Sequence, residues 1–379
     1  MDRGPRARRT GPSPLREGAF ERFLDCGILA KGFVRVRCPE CGYDTAVGFS
    51  CKERGLCPSC TGRRMDEVAA NLVDRVFPRV PVRQWVLSMP HAVRFYLAKD
   101  ATLLTGVLRI FVDEIFRDYR RRARPSRMRD ALCGGVTAVQ RFGGALNLNV
   151  HFHSLLLDGV YIRDEFTGGL RFQRLPDPST ENVERLAWIL KAKILKYLAK
   201  KGCLVAGEAA SEAAAEQDPT LLDAVQAASV REWVALGERP HRVATSGRRE
   251  EWALPPEKPL CGRAEGFNLH AAVEIGGGDR KGLENLCRYI LRPPFSAERL
   301  ERLPDGRIAY GFRKPRPDGS THVILEPMEL MEKLAALVPP PRAHLVRYHG
   351  VLAPRGGGAE AGGTEAAGPG AGGGAGLRT

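Results

Sequence analysis

The stretch "NLNVHFHSLLLDGV" at residues 147–160 decides the fold, because it reads as a buried β-strand that carries two histidines. Side chains alternate across a strand, so one face is expected to be apolar, with Leu146, Leu148, Val150 and Phe152. The other face is expected to be polar, with Asn147, Asn149, His151 and His153. Side chains two apart stand about 7 Å apart at Cα, given a rise of about 3.3 Å per residue. A single strand histidine is usually a satisfied core residue. A pair on one polar face instead indicates a metal site.

The preceding stretch, "GGVTAVQRFGG" at residues 134–144, is predicted to form a hairpin with this strand and to supply a third metal ligand. If Gly143 and Gly144 form the two-residue turn, Phe142 pairs with Ala145 and Gln140 pairs with Asn147. Gln140 would then lie on the polar face. Two imidazoles and an amide leave coordination positions open, so the predicted site suits a labile divalent ion that also binds substrate oxygens.

Six of the ten cysteines crowd into residues 26–60. Cys38-x2-Cys41 and Cys57-x2-Cys60 are separated by 15 residues, which is typical of a four-thiolate structural zinc site. A redox role for either pair is the alternative, but it fits a matched set of pairs poorly. Two further cysteines, Cys26 and Cys51, could replace a predicted ligand or could be buried thiols.

The charge balance favours a polyanionic partner. The chain has 58 Lys and Arg against 44 Asp and Glu, a formal charge of +14, and nucleic acid is the commonest partner of so basic a protein. A patch in "RDYRRRARPSRMR" is predicted to contact phosphates, with a solvated face or an RNA-like tail as the alternatives; its arginines are Arg117, Arg120, Arg121, Arg122, Arg124, Arg127 and Arg129. Basic residues that flank the cysteines are also expected to face DNA; they are Lys52, Arg54, Arg63 and Arg64.

The chain has no signal peptide and no apolar run long enough to span a bilayer, so a cytoplasmic, nucleoid-associated protein without a membrane partner is expected. Strands and helices are mixed and hairpins occur among the strands, which favours an α+β fold with a mostly antiparallel sheet. The expected domains are a disordered basic leader at 1–19, a cysteine-rich domain and linker helix at 20–78, a main domain at 79–338 with an insertion at 205–260, and a basic segment with a disordered Gly/Ala tail at 339–379.

The motifs occur in the order found in one known family. They include "FSCKERGLCPSC", "RRMDEVAANLVDRVFPRVPVRQWVLSMP", "VQRFGGALNLNVHFHSLLLDGV", "FNLHAAVEI", "RYILRPP" and "VRYHGVLAP". His-hydrophobic-His in a strand resembles the HUH single-strand endonucleases. The whole set resembles the rolling-circle insertion-sequence transposases that carry an N-terminal zinc-binding domain. The resemblance implies an N-terminal zinc ribbon followed by an HUH nuclease domain with a central antiparallel sheet and flanking helices.

The same resemblance implies a catalytic tyrosine on the helix "LENLCRYILRPP", where the matching residue is Tyr289. Leu283, Cys287 and Ile290 belong to an apolar stripe at whose edge Tyr289 lies, beside the predicted DNA-contacting residues Arg288 and Arg292. A boundary packing role is the alternative. Some family members carry a second tyrosine four residues earlier, where this chain has Asn285, so it resembles the single-tyrosine subgroup, like the common-region elements.

The implied reaction is a transesterification on single-stranded or hairpin DNA ends of the protein's own element. Mg²⁺ or Mn²⁺ at His151, His153 and Gln140 would polarise the scissile phosphate, and Tyr289 would form a 5′-phosphotyrosine. Zn²⁺ would be structural only. The alternatives are a plasmid-type replication initiator or conjugative relaxase, a non-catalytic zinc-ribbon DNA-binding relative, and a zinc hydrolase that uses water. The sequence leaves the oligomeric state open.

Overall fold

The structure is a computed structural model, and it describes residues 14–53, 55–123, 131–164, 167–203, 220–235, 241–242, 244–247, 259–316, 318–340 and 343–354. Four arginines singled out in the sequence, Arg54, Arg124, Arg127 and Arg129, lie outside these ranges, as does most of the C-terminal Gly/Ala tail. Within the described ranges, no helix has the length and apolar character that crossing a membrane requires.

The N-terminal cysteine-rich part is built from two helices and one hairpin. These are α1 (Pro14–Leu24), β1 (Phe33–Arg37), β2 (Asp44–Gly48) and α2 (Pro58–Asn71), and α2 continues into a π-helical turn at Leu72–Val76. Helix α1 begins at Pro14, so the end of the leader that was expected to be disordered is helical.

The next elements follow the periodicity of the sequence. They are β3 (Val82–Ser88), α3 (His91–Lys99), α4 (Ala101–Arg122), β4 (Gly134–Phe142), β5 (Leu148–Leu157), β6 (Gly159–Arg163), β7 (Leu170–Arg174) and α5 (Thr180–Lys200).

The remaining described elements begin inside the expected insertion. They are α6 (Leu221–Val230), β8 (Trp233–Val234), β9 (His241–Arg242), β10 (Ala244–Gly247), β11 (Cys261–Ala264), β12 (Phe267–Ile275), α7 (Arg280–Leu291), β13 (Leu300–Arg302), β14 (Ile308–Gly311), β15 (Ser320–Leu325), α8 (Pro327–Leu337) and β16 (Val346–Gly350).

A six-stranded sheet in the order β11-β12-β3-β5-β4-β16 forms the centre of the molecule, and every neighbouring pair is antiparallel. The histidine strand β5 therefore has a partner on each side. A separate four-stranded sheet, β10-β15-β14-β13, packs with α8 around a smaller core. The predicted α+β class with an antiparallel sheet is confirmed.

Helices cover both faces of the central sheet. Leu148, Val150 and Phe152 point into the larger core with α4 and α5, and the Phe152 ring stacks on Phe111 of α4 with centroids 6.1 Å apart. The opposite face packs against α2, the π-helical turn and α7 through a second core. Within β5 the predicted division into an apolar face and a histidine face is confirmed. Leu146, which was expected on the apolar face, precedes the strand and packs in the smaller core instead.

The predicted turn between β4 and β5 is wrong. Gly143 and Gly144 do not form a two-residue turn; the loop extends to Asn147, whose carbonyl accepts from the Gly143 amide, and Leu146 adopts a positive φ of 56°. The register shifts accordingly, so that Gln140 pairs with His151 and Phe142 with Leu148. Gln140 thus lies directly opposite a histidine instead of opposite Asn147.

Candidate active site and zinc centre

The structure brings the two strand histidines and the helix tyrosine together. The ring centroids of His151 and His153 are 4.9 Å apart, and those of His153 and Tyr289 are 5.8 Å apart in an edge-to-face arrangement. The two histidines lie on a central strand and the tyrosine on a helix that packs against the same sheet face. Residues 136 positions apart in sequence therefore form one cluster.

Both imidazoles are held neutral by burial. Burial lowers the pKa of His151 to about 4 and moves the pKa of His153 further down, with the His151 and Arg292 charges acting in the same direction on His153. The Nδ1 atom of His151 lies 2.8 Å from the Asn149 carbonyl oxygen. Since a carbonyl only accepts, Nδ1 carries the proton, and Nε2 presents a lone pair.

His153 has a side-chain partner on the neighbouring strand. The side-chain nitrogen Nε2 of Gln84 on β3 lies 2.9 Å from His153 Nδ1. An amide nitrogen donates, so Nδ1 accepts and the proton lies on His153 Nε2, which is buried with no hydrogen-bond partner among the described residues. A 180° turn of the Gln84 amide would place its oxygen on the ring, move the proton to Nδ1 and free the Nε2 lone pair. Sequence reasoning missed Gln84, although a polar residue inside an apolar strand was a usable signal.

Gln140 joins the histidine strand to the tyrosine helix. Its Nε2 donates to the carbonyl of Ile290 at 2.7 Å and to that of Tyr289 at 3.4 Å. Its Oε1 is buried and has no partner among the described residues. One end of the amide therefore fixes the end of α7, and the other end offers an unused lone pair beside the histidines.

Helix α7 presents Tyr289 at the edge of its buried stripe. Asp279 caps its N-terminus by accepting from the Gly282 amide, and the stripe of Leu283, Cys287 and Ile290 is buried against the sheet. Tyr289 remains 44% exposed. The Arg292 guanidinium lies 4.3 Å from its ring centroid and donates to its carbonyl at 2.7 Å. A ring that is half-exposed beside a cation suits approach by a phosphate.

The other predicted arginines are mostly engaged with protein groups. Arg288 forms ion pairs with Glu284 on its own helix and with Asp66 on α2, so it ties α7 to α2. In the α4 patch, Arg117 pairs with Glu114, Arg121 and Arg122 pair with Asp118, and Arg120 donates to the Ala131 carbonyl. These contacts reduce the positive charge that the patch offers to a phosphate.

The zinc-site cysteines group differently from the sequence prediction. The sulfurs of Cys26, Cys51, Cys57 and Cys60 all lie within 4.8 Å of one another, with three pairs at 3.5 to 3.7 Å. A tetrahedral site with zinc–sulfur bonds of about 2.3 Å has edges of about 3.8 Å, so the spacing fits one ion.

Backbone amides surround the sulfurs of this cluster. The amides of Cys51, Glu53 and Cys60 point at the sulfurs of Cys26, Cys51 and Cys57, respectively, at 3.4 to 3.5 Å. Burial raises the pKa of Cys51 and of Cys57, whereas at Cys60 hydrogen bonds from the Lys52 amide and the neighbouring thiols outweigh burial and bring the pKa to about 7. Cys57 is also the N-cap of α2, so the cluster fixes the start of that helix.

Cys38 and Cys41 lie elsewhere. They occupy the turn between β1 and β2, where the Gly42 amide donates to the Cys38 carbonyl, and they are not part of the four-sulfur cluster. The grouping of Cys38 and Cys41 with Cys57 and Cys60 is corrected, because the hairpin turn does not bring its thiols to the start of α2. Cys26 and Cys51 take their places.

Comparison with known proteins agrees with this architecture. Residues 134–358 match the Y2_Tnp family of transposases, and residues 5–89 match the transposase zinc-binding domain Zn_Tnp_IS91. No curated protein and no solved structure matches the chain. The first match spans more than half of the chain and contains His151, His153 and Tyr289, and the second contains the whole cysteine cluster. The chain therefore belongs to the Y2_Tnp transposase family and carries an N-terminal transposase zinc-binding domain.

Proposed function

We propose that this transposase nicks and joins single-stranded DNA through a covalent phosphotyrosine on Tyr289, assisted by a divalent cation at His151, His153 and Gln140. The observation that carries the proposal is the edge-to-face contact of Tyr289 with His153, beside two buried polar atoms that have no described partner. The candidate nucleophile and the candidate metal ligands are therefore adjacent.

The residues present fit a divalent cation. His151 offers the Nε2 lone pair and Gln140 offers Oε1. His153 would offer Nε2 after the Gln84 amide, whose nitrogen now contacts Nδ1, turns so that its oxygen accepts from Nδ1. Two neutral imidazoles and an amide oxygen form a mixed donor set that suits Mn²⁺ or Mg²⁺ with additional oxygen ligands. Such a cation would supply charge stabilisation at a non-bridging oxygen of the scissile phosphate.

The protein supplies the nucleophile and a nearby cation. The Tyr289 oxygen attacks phosphorus, a bond forms between that oxygen and phosphorus, and the bond from phosphorus to the 3′-oxygen breaks. The phenolic proton leaves Tyr289, and the departing 3′-oxygen takes up a proton. Arg292, placed over the Tyr289 ring, is positioned to stabilise the phosphate charge. The covalent intermediate keeps the 5′ end available for joining to another 3′-OH.

Three alternatives make different predictions. A plasmid-type replication initiator or relaxase would share the chemistry, but the match to the transposase zinc-binding domain favours a transposase. A non-catalytic DNA-binding relative has no need for Tyr289 to lie beside His153. A hydrolase that uses water would not depend on the tyrosine oxygen.

We also propose Zn²⁺ as the structural ion of Cys26, Cys51, Cys57 and Cys60. Four sulfurs fill a tetrahedral site and leave no open position, so this ion would take no part in strand cleavage.

Replacement of Tyr289 tests the proposal directly. Tyr289→Phe keeps the ring and its contacts but removes the attacking oxygen, so it should bind single-stranded DNA normally and form no denaturant-resistant adduct in Mn²⁺. His151→Ala should lower the rate at least about 100-fold by removing a metal ligand. Tyr43→Phe, at a tyrosine 68% exposed on the β1–β2 turn, is the matched control and should react normally. Full cleavage by Tyr289→Phe would refute the tyrosine mechanism and favour water.

A further inference from the structure

A cleft of about 660 Å³ lies between the N-terminal zinc-binding module, residues 14–76, and the edge of the central sheet formed by β4 and β16. One wall is the loop after Cys51 and the first turns of α2, and the other is the end of β4 with the start of β16. Gln140 and Arg292 also line the cleft, so one part of it borders the candidate active site.

The wall from the zinc-binding module is basic. Lys52, Arg63 and Arg64 line the cleft and are exposed. Within the part of the chain that the structure describes, none of the three forms an ion pair. Of the two acidic lining residues, Glu53 is paired with Arg22 and Glu67 is exposed, so the three cations exceed the carboxylates on this wall. In α4, the guanidiniums of Arg117, Arg121 and Arg122 are instead paired with Glu114 or Asp118.

The opposite wall is largely apolar and includes two aromatic residues. Phe142 and Tyr348 line it together with Leu345 and Val346, and the Arg292 guanidinium lies 5.3 Å from the Phe142 ring centroid. Proteins that hold unpaired nucleic acid combine cations along the backbone with aromatic faces for the bases. A cavity of this size encloses groups the size of small molecules, so it suits unpaired nucleotides.

We propose that this cleft binds the unpaired strand next to the scissile phosphate, with Lys52, Arg63 and Arg64 contacting its phosphates and the Phe142–Tyr348 wall contacting its bases. The inference rests on the proposed function, since that function supplies the strand. It assigns the zinc-binding module a second role as one wall of the substrate path, because α2 starts at the cysteine cluster.

The charges can be removed while side-chain length is kept. The cleft variant is Lys52→Gln, Arg63→Gln, Arg64→Gln, and the matched control is Lys196→Gln, Lys200→Gln, Lys201→Gln, which removes three exposed charges from α5 and the residue after it. Both are placed in Tyr289→Phe protein, so that binding is measured without cleavage. The zinc content and the thermal unfolding temperature of both variants should match those of the Tyr289→Phe protein.

Fluorescence anisotropy with labelled single-stranded DNA over a range of salt concentrations measures the contribution of the cleft. Each phosphate contact on a single strand contributes about 0.7 to the slope of log K against log salt, so the cleft variant should lower the slope by about 2 and weaken binding at least about tenfold at moderate salt. The control should change neither. Equal losses in the two variants, or a loss by the cleft variant on duplex DNA as large as on the single strand, would overturn the proposal.

Photocrosslinking gives an independent readout. A strand that carries iodouracil on either side of the nick site should crosslink to Phe142 or Tyr348, and crosslinks confined to α4 would contradict the cleft. If the wild-type protein forms no adduct but the cleft variant loses single-strand binding, the proposed chemistry fails and the proposed cleft stands. If the wild-type protein nicks normally but the cleft variant binds as tightly as the Tyr289→Phe protein, the chemistry stands and the cleft fails.

Discussion

At the scale of single residues, the tautomer of His153 depends on a neighbour outside the recognised motif. Gln84 is the side-chain partner of His153 Nδ1, and the opposite ring nitrogen is buried with no hydrogen-bond partner among the described residues. A ligating histidine is normally held by a hydrogen bond at its other nitrogen, which fixes ring orientation and tautomer. Gln84 is therefore a positioning residue in the proposed mechanism.

Substitutions at Gln84 should separate this role from packing. Gln84→Leu fills the space but cannot bond Nδ1, so Mn²⁺ affinity should fall about 10- to 100-fold. Gln84→Glu can only accept from Nδ1–H, which selects the ligating tautomer, so Mn²⁺ affinity should stay near that of the parent. Calorimetric titration with Mn²⁺ measures both. Equal affinities for Gln84→Leu and the parent would remove Gln84 from the mechanism.

At the scale of elements, the cysteine cluster and the tyrosine helix are linked through α2. Cys57 caps α2, Cys60 lies in its first turn, and Asp66 further along pairs with Arg288 of α7. Residues of α2, the π-helical turn and α7 share one core on the histidine face of the sheet. Loss of the structural ion should therefore disturb the position of Tyr289 as well as the structure of the N-terminal part.

Cysteine substitutions test which thiols hold the ion. Cys26→Ser and Cys51→Ser should each lower bound zinc below about one ion per chain and slow adduct formation, because a four-ligand site loses a sulfur. Cys38→Ser and Cys41→Ser are the matched controls on the β1–β2 turn and should retain the metal. Atomic absorption on purified protein measures the content. Zinc loss in Cys38→Ser with retention in Cys26→Ser would restore the grouping that the sequence suggested.

At the scale of the whole molecule, one buried ion network joins elements that are distant in sequence. The Arg83 guanidinium on β3 contacts Asp158 after β5, Asp177 before α5 and Glu274 on β12 at 2.5 to 2.9 Å, and it donates to the Ala271 carbonyl. The three carboxylates lie close enough to one another to suggest a cation site, but the arginine already supplies the cation. The network is therefore structural.

Removing one charge from this network should destabilise the fold. Arg83 and Asp158 are 2% and 1% exposed, so Asp158→Asn leaves a buried guanidinium partly uncompensated and should lower the free energy of unfolding by about 3 kcal/mol. Asp177→Asn, at a carboxylate 62% exposed, should cost less than about 1 kcal/mol. Urea denaturation measures both. Equal losses in the free energy of unfolding for the two variants would show that burial does not determine the size of the loss.

Stability should also fall in mild acid. Burial lowers the pKa of His349 to about 4 in the folded chain, and the Arg347 charge adds to the effect, against about 6.5 in the unfolded chain. Between these values the unfolded chain binds more protons, so stability is lost as the pH falls from 6.5 through 4. His349→Gln should reduce the loss between pH 7 and pH 5 by at most about 2 kcal/mol. Urea denaturation at both pH values measures it, and a variant whose stability fell as steeply as that of the parent would show that His349 does not titrate on unfolding.

The sequence by itself determined the features that depend on local periodicity. Alternation along residues 147–157 placed His151 and His153 on one face opposite Phe152, and the apolar stripe of the helix near 283–292 placed Tyr289 at its edge. Strand and helix periods are fixed by backbone geometry, so they can be read from neighbouring residues. The motif order also indicated the family.

Only the tertiary structure decided which distant groups meet. The longer loop after Phe142, with Leu146 at positive φ, set Gln140 opposite His151, a register that the glycine pair alone did not reveal. The fold groups Cys26 and Cys51, instead of Cys38 and Cys41, with Cys57 and Cys60. It also pairs three arginines of α4 with nearby carboxylates and places the Gln84 amide in hydrogen-bonding contact with His153. These outcomes depend on loop paths and on packing between elements, whose free energy comes from contacts far apart in sequence and leaves no periodic pattern in it.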